Sequence, residues 1–208
     1  MSHAEVTMQH VHAAVAEEHP YGVPSKKLVM WLFIIADAAT FGAILFAYGY
    51  VRVASADWTK PFAFFPTILN GIVMTIVLLT SSLTMAGAVR AASAGRPTAI
   101  RWLGATILLG AAFTALHLYE WFAMIGEGWS PSRNPLGGSP LFGATFFAIT
   151  GLSLLHVVAG VIAIGVVTLL YRRGRLDASY IETTGLYWHF VNLVWMFVFP
   201  LVYLLNAR

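Results

Sequence analysis

The sequence predicts an all-α, polytopic membrane protein: a bundle of five transmembrane helices. Two observations predict it. Five stretches are apolar over the roughly 20 residues that a helix needs to cross hydrocarbon. Hydrophobic residues make up 59% of the chain and charged residues 10%, against usual shares of about 45–50% and 25%. A soluble chain with so few charges lacks a polar surface. Helix is the form required, because lipid offers the backbone no hydrogen-bond partners.

Residues 1–27 read as a polar cytoplasmic tail. They hold Glu5, Glu17, Glu18 and the histidines His3, His10, His12 and His19, with no apolar core of the kind a signal peptide carries. The transmembrane domain then covers 28–208, with spans expected at about 28–51, 66–89, 100–125, 140–171 and 181–205. The gaps break helices or resist burial. Segment 54–65 holds Asp57, Lys60 and Pro61, and 90–99 holds Gly95 and Pro97. Segment 126–139 holds four glycines and two prolines, and 172–180 holds Arg172, Arg173, Gly174 and Arg175.

Orientation follows from the placement of Lys and Arg. Lys26, Lys27, Arg90, Arg96, Arg101, Arg172, Arg173 and Arg175 fall on one side, and Arg52, Lys60, Arg133 and Arg208 on the other. The richer side is cytoplasmic, which puts the N-terminus inside and the C-terminus outside. Tyr50, Trp58 and Trp129 at one interface and Trp102, Tyr171 and Tyr180 at the other form the expected aromatic belts. Small residues (Ala36, Ala38, Ala39, Gly42 and Ala43 in the first span; Gly104, Ala105, Gly110, Ala111, Ala112 and Ala115 in the third) read as helix-packing faces.

Several function classes drop out. There is no cysteine, hence no disulfide, thiolate metal site or Cys nucleophile. No basic cluster is interleaved with aromatics, so nucleic acid is not an expected partner. Phosphate loops, Ser-His-Asp sets and zinc motifs are missing, as are the paired interrupted helices of a secondary transporter. No catalytic residue and no metal ligand is assigned.

The polar groups within the spans carry what chemistry remains. Asp37 sits near mid-depth of the first span, where an unpaired carboxylate is costly. It is expected to be neutral and hydrogen-bonded, either as a packing contact or as a proton- or lipid-linked site. His117 and Glu120 share a face of the third span, and a local ion or hydrogen-bond pair is favoured over half a metal site. His156 lies midway along the fourth span, and His189 lies in the inner part of the fifth, near Glu182. Their unequal depths disfavour a b-type haem held between histidines. Buried histidines tying helices together fit better.

The order of motifs along the chain resembles subunit III of the haem-copper terminal oxidases, the cytochrome c and quinol oxidases. The likeness runs from about Lys27 to Tyr203. It rests on Met30-Trp-Leu-Phe-Ile-Ile-Ala-Asp37 in the first span, Leu69-Asn-Gly and Leu78-Leu-Thr-Ser-Ser-Leu-Thr84 in the second, and Leu103-Gly with Glu120-Trp121 in the third. The fourth adds Phe142-Gly-Ala-Thr-Phe-Phe-Ala-Ile-Thr-Gly151 and His156-Val-Val-Ala-Gly160, and the fifth Gly185-Leu-Tyr-Trp-His-Phe-Val-Asn-Leu-Val-Trp195.

The resemblance implies a subunit of a proton-pumping oxygen reductase with no cofactor of its own. It would pack beside catalytic subunit I, with haem and copper on partner subunits and phospholipid in its clefts. Five spans match the bacterial form that lacks the first two of seven helices, and a plasma-membrane location follows. Three positions depart from the family pattern: Asp37 stands for the usual Glu, Ser153 for a His, and Asn192 for the acid of Trp-His-Phe-Val-Asp. Packing is therefore expected to outweigh a proton route. His117, His156, Glu182, Trp188, His189 and Asn192 are candidates for structural polar or lipid contacts, with Asp37 and Glu120 as buried carboxylates. Other readings are an accessory subunit of nitric oxide reductase, a haem-bearing quinol-oxidising anchor and a transporter.

Overall fold

Charge, proline and glycine set where each apolar segment stops winding. The computed structural model describes residues 24–208, so the tail histidines His3, His10, His12 and His19 lie outside the described residues. Five long helices follow: α1 Ser25–Ala54, α2 Leu69–Ser93, α3 Ala99–Gly126, α4 Leu141–Arg172 and α5 Ala178–Val198. Each is long and apolar enough to cross a membrane. α1 begins before the apolar stretch, so Lys26 and Lys27 form part of its first turn rather than a tail. α2 begins at Leu69, after Phe65, whose backbone is extended (φ −111°, ψ 133°) and interrupts the winding. α2 and α4 are closed by Gly95 (φ 64°) and Gly174 (φ 66°), a left-handed geometry that glycine adopts without strain. Beyond α5 the chain keeps winding as a widened turn, Phe199–Tyr203, and a tight one, Leu204–Asn206. Pro200 is the local cause, because it has no N–H to offer the preceding turn.

Successive helices alternate in direction, while α1 and α5 run parallel side by side. Thr75, Ser81 and Ser82 of α2 meet Trp195, Trp188 and His189 of α5, an antiparallel register. Trp121 of α3 donates to Thr150 of α4 at 3.1 Å, and Gly110 faces Val161, again antiparallel. α5 is the centre of the bundle, with α2, α4 and α1 all packed on it. Trp188 of α5 is fully buried and lies between two glycines. A Cβ at Gly160 would come within 2.8 Å of its ring, and one at Gly110 equally close.

α1 is attached differently. Only Ile34, Phe41 and Tyr48 are buried, one residue every two turns. Its small residues Ala36, Ala38, Ala39, Gly42 and Ala43 are exposed, and nothing lies within 4 Å of a Cβ built on Gly42. In α3, Ala111, Ala112 and Ala115 are exposed too, while Gly110 packs inside. Most of these small residues therefore point outward from the described bundle. Among the described residues nothing covers them, because α1 turns only one stripe to the bundle. Trp129 is 3% exposed and packs edge-on against Phe142 at the end of α3.

Candidate functional site

Three polar clasps hold α1 where apolar packing is thin. At the N-terminal end of the bundle, Lys27 Nζ lies 2.6 Å from Glu182 Oε1 of α5. Lys26 stands over the Tyr180 ring at 3.7 Å. Among the described residues both acids at this end are engaged within the chain: Asp177 caps α5, accepting from the Ser179 backbone N–H and hydroxyl. The Ser179 hydroxyl holds its carboxyl below the usual range.

At mid-depth, Asp37 Oδ2 lies 3.2 Å from His156 Nε2 of α4, and both side chains are largely shielded. The tautomer follows from the other ring nitrogen. Nδ1 is 2.8 Å from the Leu152 carbonyl, which can only accept, so Nδ1 carries a proton. The contact between Nε2 and Oδ2 then needs one further proton, sitting on either atom. As carboxylic acid with imidazole, or as carboxylate with imidazolium, the pair has no net charge. That is how a carboxyl group is tolerated at this depth. Phe41 stacks edge-on to the His156 ring at 5.1 Å, and Tyr187 donates to the His156 backbone carbonyl at 3.1 Å. A small void beside the pair is lined by Phe41, Ser153, His156, Val157, Val191, Val194 and Trp195. Ser153 is buried with no protein partner for its hydroxyl.

At the C-terminal end, Asn206 is a hub that sequence reasoning missed. Its amide donates to Tyr48 Oη and to the Val202 carbonyl, each at 2.6 Å. Its carbonyl oxygen accepts from Trp58 Nε1 at 2.7 Å. Arg52 reaches the Leu205 carbonyl at 2.9 Å, and Tyr48 Oη donates to Leu201. The backbone pairs Phe62 with Asn206 and Arg208, stitching the terminus to the α1–α2 connection. An asparagine near the end of an apolar run was the only hint available.

The remaining candidates lie along α3 and α5. His189 Nδ1 meets Ser82 Oγ at 2.7 Å, and Glu182 is committed to Lys27. Trp188 Nε1 donates to Ser81 at 3.0 Å. Asn192 donates to the Trp188 carbonyl at 2.7 Å, leaving its own buried oxygen unpartnered. The local pair expected of His117 and Glu120 does not form. Glu120 Oε2 instead accepts from Tyr203 at 3.1 Å. His117 is fully buried among Phe113, Trp121 and Trp195, and neither ring nitrogen has a protein partner. The i, i+3 spacing is correct, but the rotation of α3 aims Glu120 at the end of α5. Among the described residues no three His, Asp or Glu side chains gather as a metal cluster.

An apolar groove of about 270 Å³ runs between α1 and α5, lined by Ala38, Phe41, Gly42, Leu45, Phe190 and their neighbours. Both of its walls are apolar, so it suits an acyl chain or an apolar helix and offers nothing to a polar substrate.

Comparison with known proteins places this architecture. The sequence profile of the family described as cytochrome c oxidase subunit III matches residues 4–207. Cytochrome bo(3) ubiquinol oxidase subunit 3 of Pseudomonas aeruginosa is 33% identical over 183 residues, covering 85% of this chain and 83% of that protein. Cytochrome c oxidase subunit 3 of Corynebacterium diphtheriae is 30% identical, covering 88% of this chain and 90% of that protein. A probable quinol oxidase subunit 3 of Staphylococcus aureus is 33% identical, covering 86% and 89%.

Proposed function

We propose, from the premise that the chain belongs to the cytochrome c oxidase subunit III family, that it braces the catalytic subunit of a haem-copper oxidase. It is a component of an enzyme complex and carries no catalytic centre itself; haem and copper sit on other subunits. The relatives bear oxidase names, and the readings as a nitric oxide reductase subunit or a haem-bearing anchor gain nothing. His156 has both ring nitrogens engaged within the chain.

One observation carries the bracing role. α1 is held by polar clasps, while Ala36, Ala39, Ala43 and Ala47 stay exposed along one face. Small residues let another helix approach closely, and in lipid such packing takes the place of the hydrophobic drive. The reading assigns that face to catalytic subunit I, with phospholipid acyl chains filling the α1–α5 groove. The N-terminal end of the bundle, where most Lys and Arg lie, faces the cytoplasm of a bacterial plasma membrane.

The absence of cysteine makes the test clean. Ala43→Cys is introduced, with Leu155→Cys on α4 as a control, and each is crosslinked in native membranes. The expected outcome is a crosslink from position 43 to a haem-bearing subunit, identified by mass spectrometry, and none from 155. Purification of the chain without a haem-bearing partner, or crosslinking from 155 alone, defeats the reading.

A further inference from the structure

A second groove, of about 560 Å³, opens between the end of α3 and the start of α4, away from the α1 clasps. Trp121, Ile125 and Trp129 line it from α3 and the segment that follows, and Ala144, Phe147 and Ala148 from α4. We propose that this groove holds an acyl chain of a monoanionic phospholipid, with an ester carbonyl on the Trp129 indole N–H and the phosphate at Arg133.

Local sequence makes the hollow. Ala144 and Ala148 stand one turn apart on α4, where larger side chains would close the gap to Trp121 and Ile125. The lining is mainly apolar, and Trp121 adds to that character because its Nε1 is spent on Thr150 at 3.1 Å. One donor remains. Trp129 is 3% exposed, and no acceptor among the described residues meets its indole N–H. That nitrogen is not among the fully sealed polar atoms, so a ligand beside it can reach it. A donor in such a place is costly to leave unpaired, and an indole at a membrane interface keeps its ring in the apolar layer and its N–H toward the polar one. An ester carbonyl at the base of a lipid headgroup is the acceptor available at that depth.

The choice of headgroup follows from charge. Trp129 leads into a turn in which Ser130 and Arg133 exchange backbone hydrogen bonds, each 3.2 Å. The turn is seated on the start of α4: a Cβ at Gly143 would lie 2.5 Å from the Ser130 carbonyl oxygen. Ser130 and Pro131 of this turn border the groove, and Arg133 beside them is exposed and pairs with no acid among the described residues. Glu127 lines a slot on the α2 side of α3 instead. α4 carries no acid in its first turn, and the start of a helix bears partial positive charge. A phosphate beside Arg133 therefore meets positive charge from the guanidinium and from the helix. A zwitterionic headgroup brings its own cation to the same place, so the monoanionic lipid is favoured. The site does not depend on what covers α1, and the bracing role can fail without it.

The full-length chain is reconstituted in phosphatidylcholine vesicles containing a trace of one photoactivatable lipid. The two probes are phosphatidylglycerol and phosphatidylcholine, each with a diazirine in its acyl chain, and labelled peptides are identified by mass spectrometry. Residues 121–148 should be labelled several-fold more by the phosphatidylglycerol probe. Arg133→Gln, at an exposed position, should erase that preference and leave phosphatidylcholine labelling unchanged. Trp129→Phe keeps a ring without its N–H and should lower labelling by both probes. Ala148→Leu narrows the groove from an exposed position, should also lower both, and gives an independent reading if Trp129→Phe misfolds. Equal labelling of the parent chain by the two probes overturns the proposal, as does a preference that survives Arg133→Gln. So does undiminished labelling in both Trp129→Phe and Ala148→Leu, which would place the lipid outside the groove.

Discussion

Replacing Gly160 by alanine should loosen the bundle through a single ring. A Cβ at that position lies 2.8 Å from both Cε3 and Cζ3 of Trp188 and 3.3 Å from Tyr187. Carbon atoms pack best at about 3.5–4.0 Å, so the ring must retreat by about 0.7 Å or more. It cannot retreat freely. Gly110 on the far helix allows no extra space, since a Cβ there would also meet Trp188 at 2.8 Å, and the Nε1 bond to Ser81 at 3.0 Å fixes the ring's edge. Overpacking of this kind costs about 1–3 kcal/mol. Trp188→Phe removes the outer ring atoms that Cβ meets, at the cost of a void. In the double variant the overlap and the void offset one another. Unfolding of the purified chain by SDS, read by far-UV circular dichroism, gives the four stabilities of the cycle. The double variant should be more stable than the sum of the singles by at least about 0.5 kcal/mol, the lower end of coupling seen for touching residues. Strict additivity refutes the picture of Trp188 as the filler of a two-glycine cradle.

Two further outcomes follow from the clasps on α1 and α5. Asp37→Ala orphans His156 Nε2 in a shielded site, which costs about 1–3 kcal/mol; Asp37→Asn keeps an N–H to donate and should cost a fraction of that. Equal losses in the same SDS titration would contradict the one-proton reading of this pair. The Asp177 cap should respond to pH in one direction only. Its carboxyl is held below its ordinary value by the Ser179 hydroxyl. The stabilisation is therefore full above the ordinary carboxylate range and fades only as pH falls through the lowered folded value. Hydrogen exchange at the start of α5 should be flat from pH 5 to 8 after correction for intrinsic rates, and should quicken in Asp177→Ala. A change in protection within that window would point to another group.

What the sequence by itself determined was the solvent problem and its solution. Hydrocarbon leaves backbone groups no partner but their own helix, so five long apolar runs separated by glycine, proline and charge could only become five spanning helices. Motif order along those runs carried the family as well, because each motif stays within one helix and survives without knowledge of the packing. Side-chain partnership was another matter. Asp37 finds His156 across 119 residues, Tyr48 finds Asn206 across 158, and Glu120 turns from its neighbour His117 to Tyr203, 83 residues on. Spacing along a helix shows which residues share a face. It does not show which way the face is turned or what stands opposite. Those depend on helix rotation and register, which are decided where α5 threads Trp188 between Gly110 and Gly160. The same packing left the small faces of α1 and α3 outward: a stripe of alanines specifies close approach, and only the assembled bundle decides whether the approaching helix is its own.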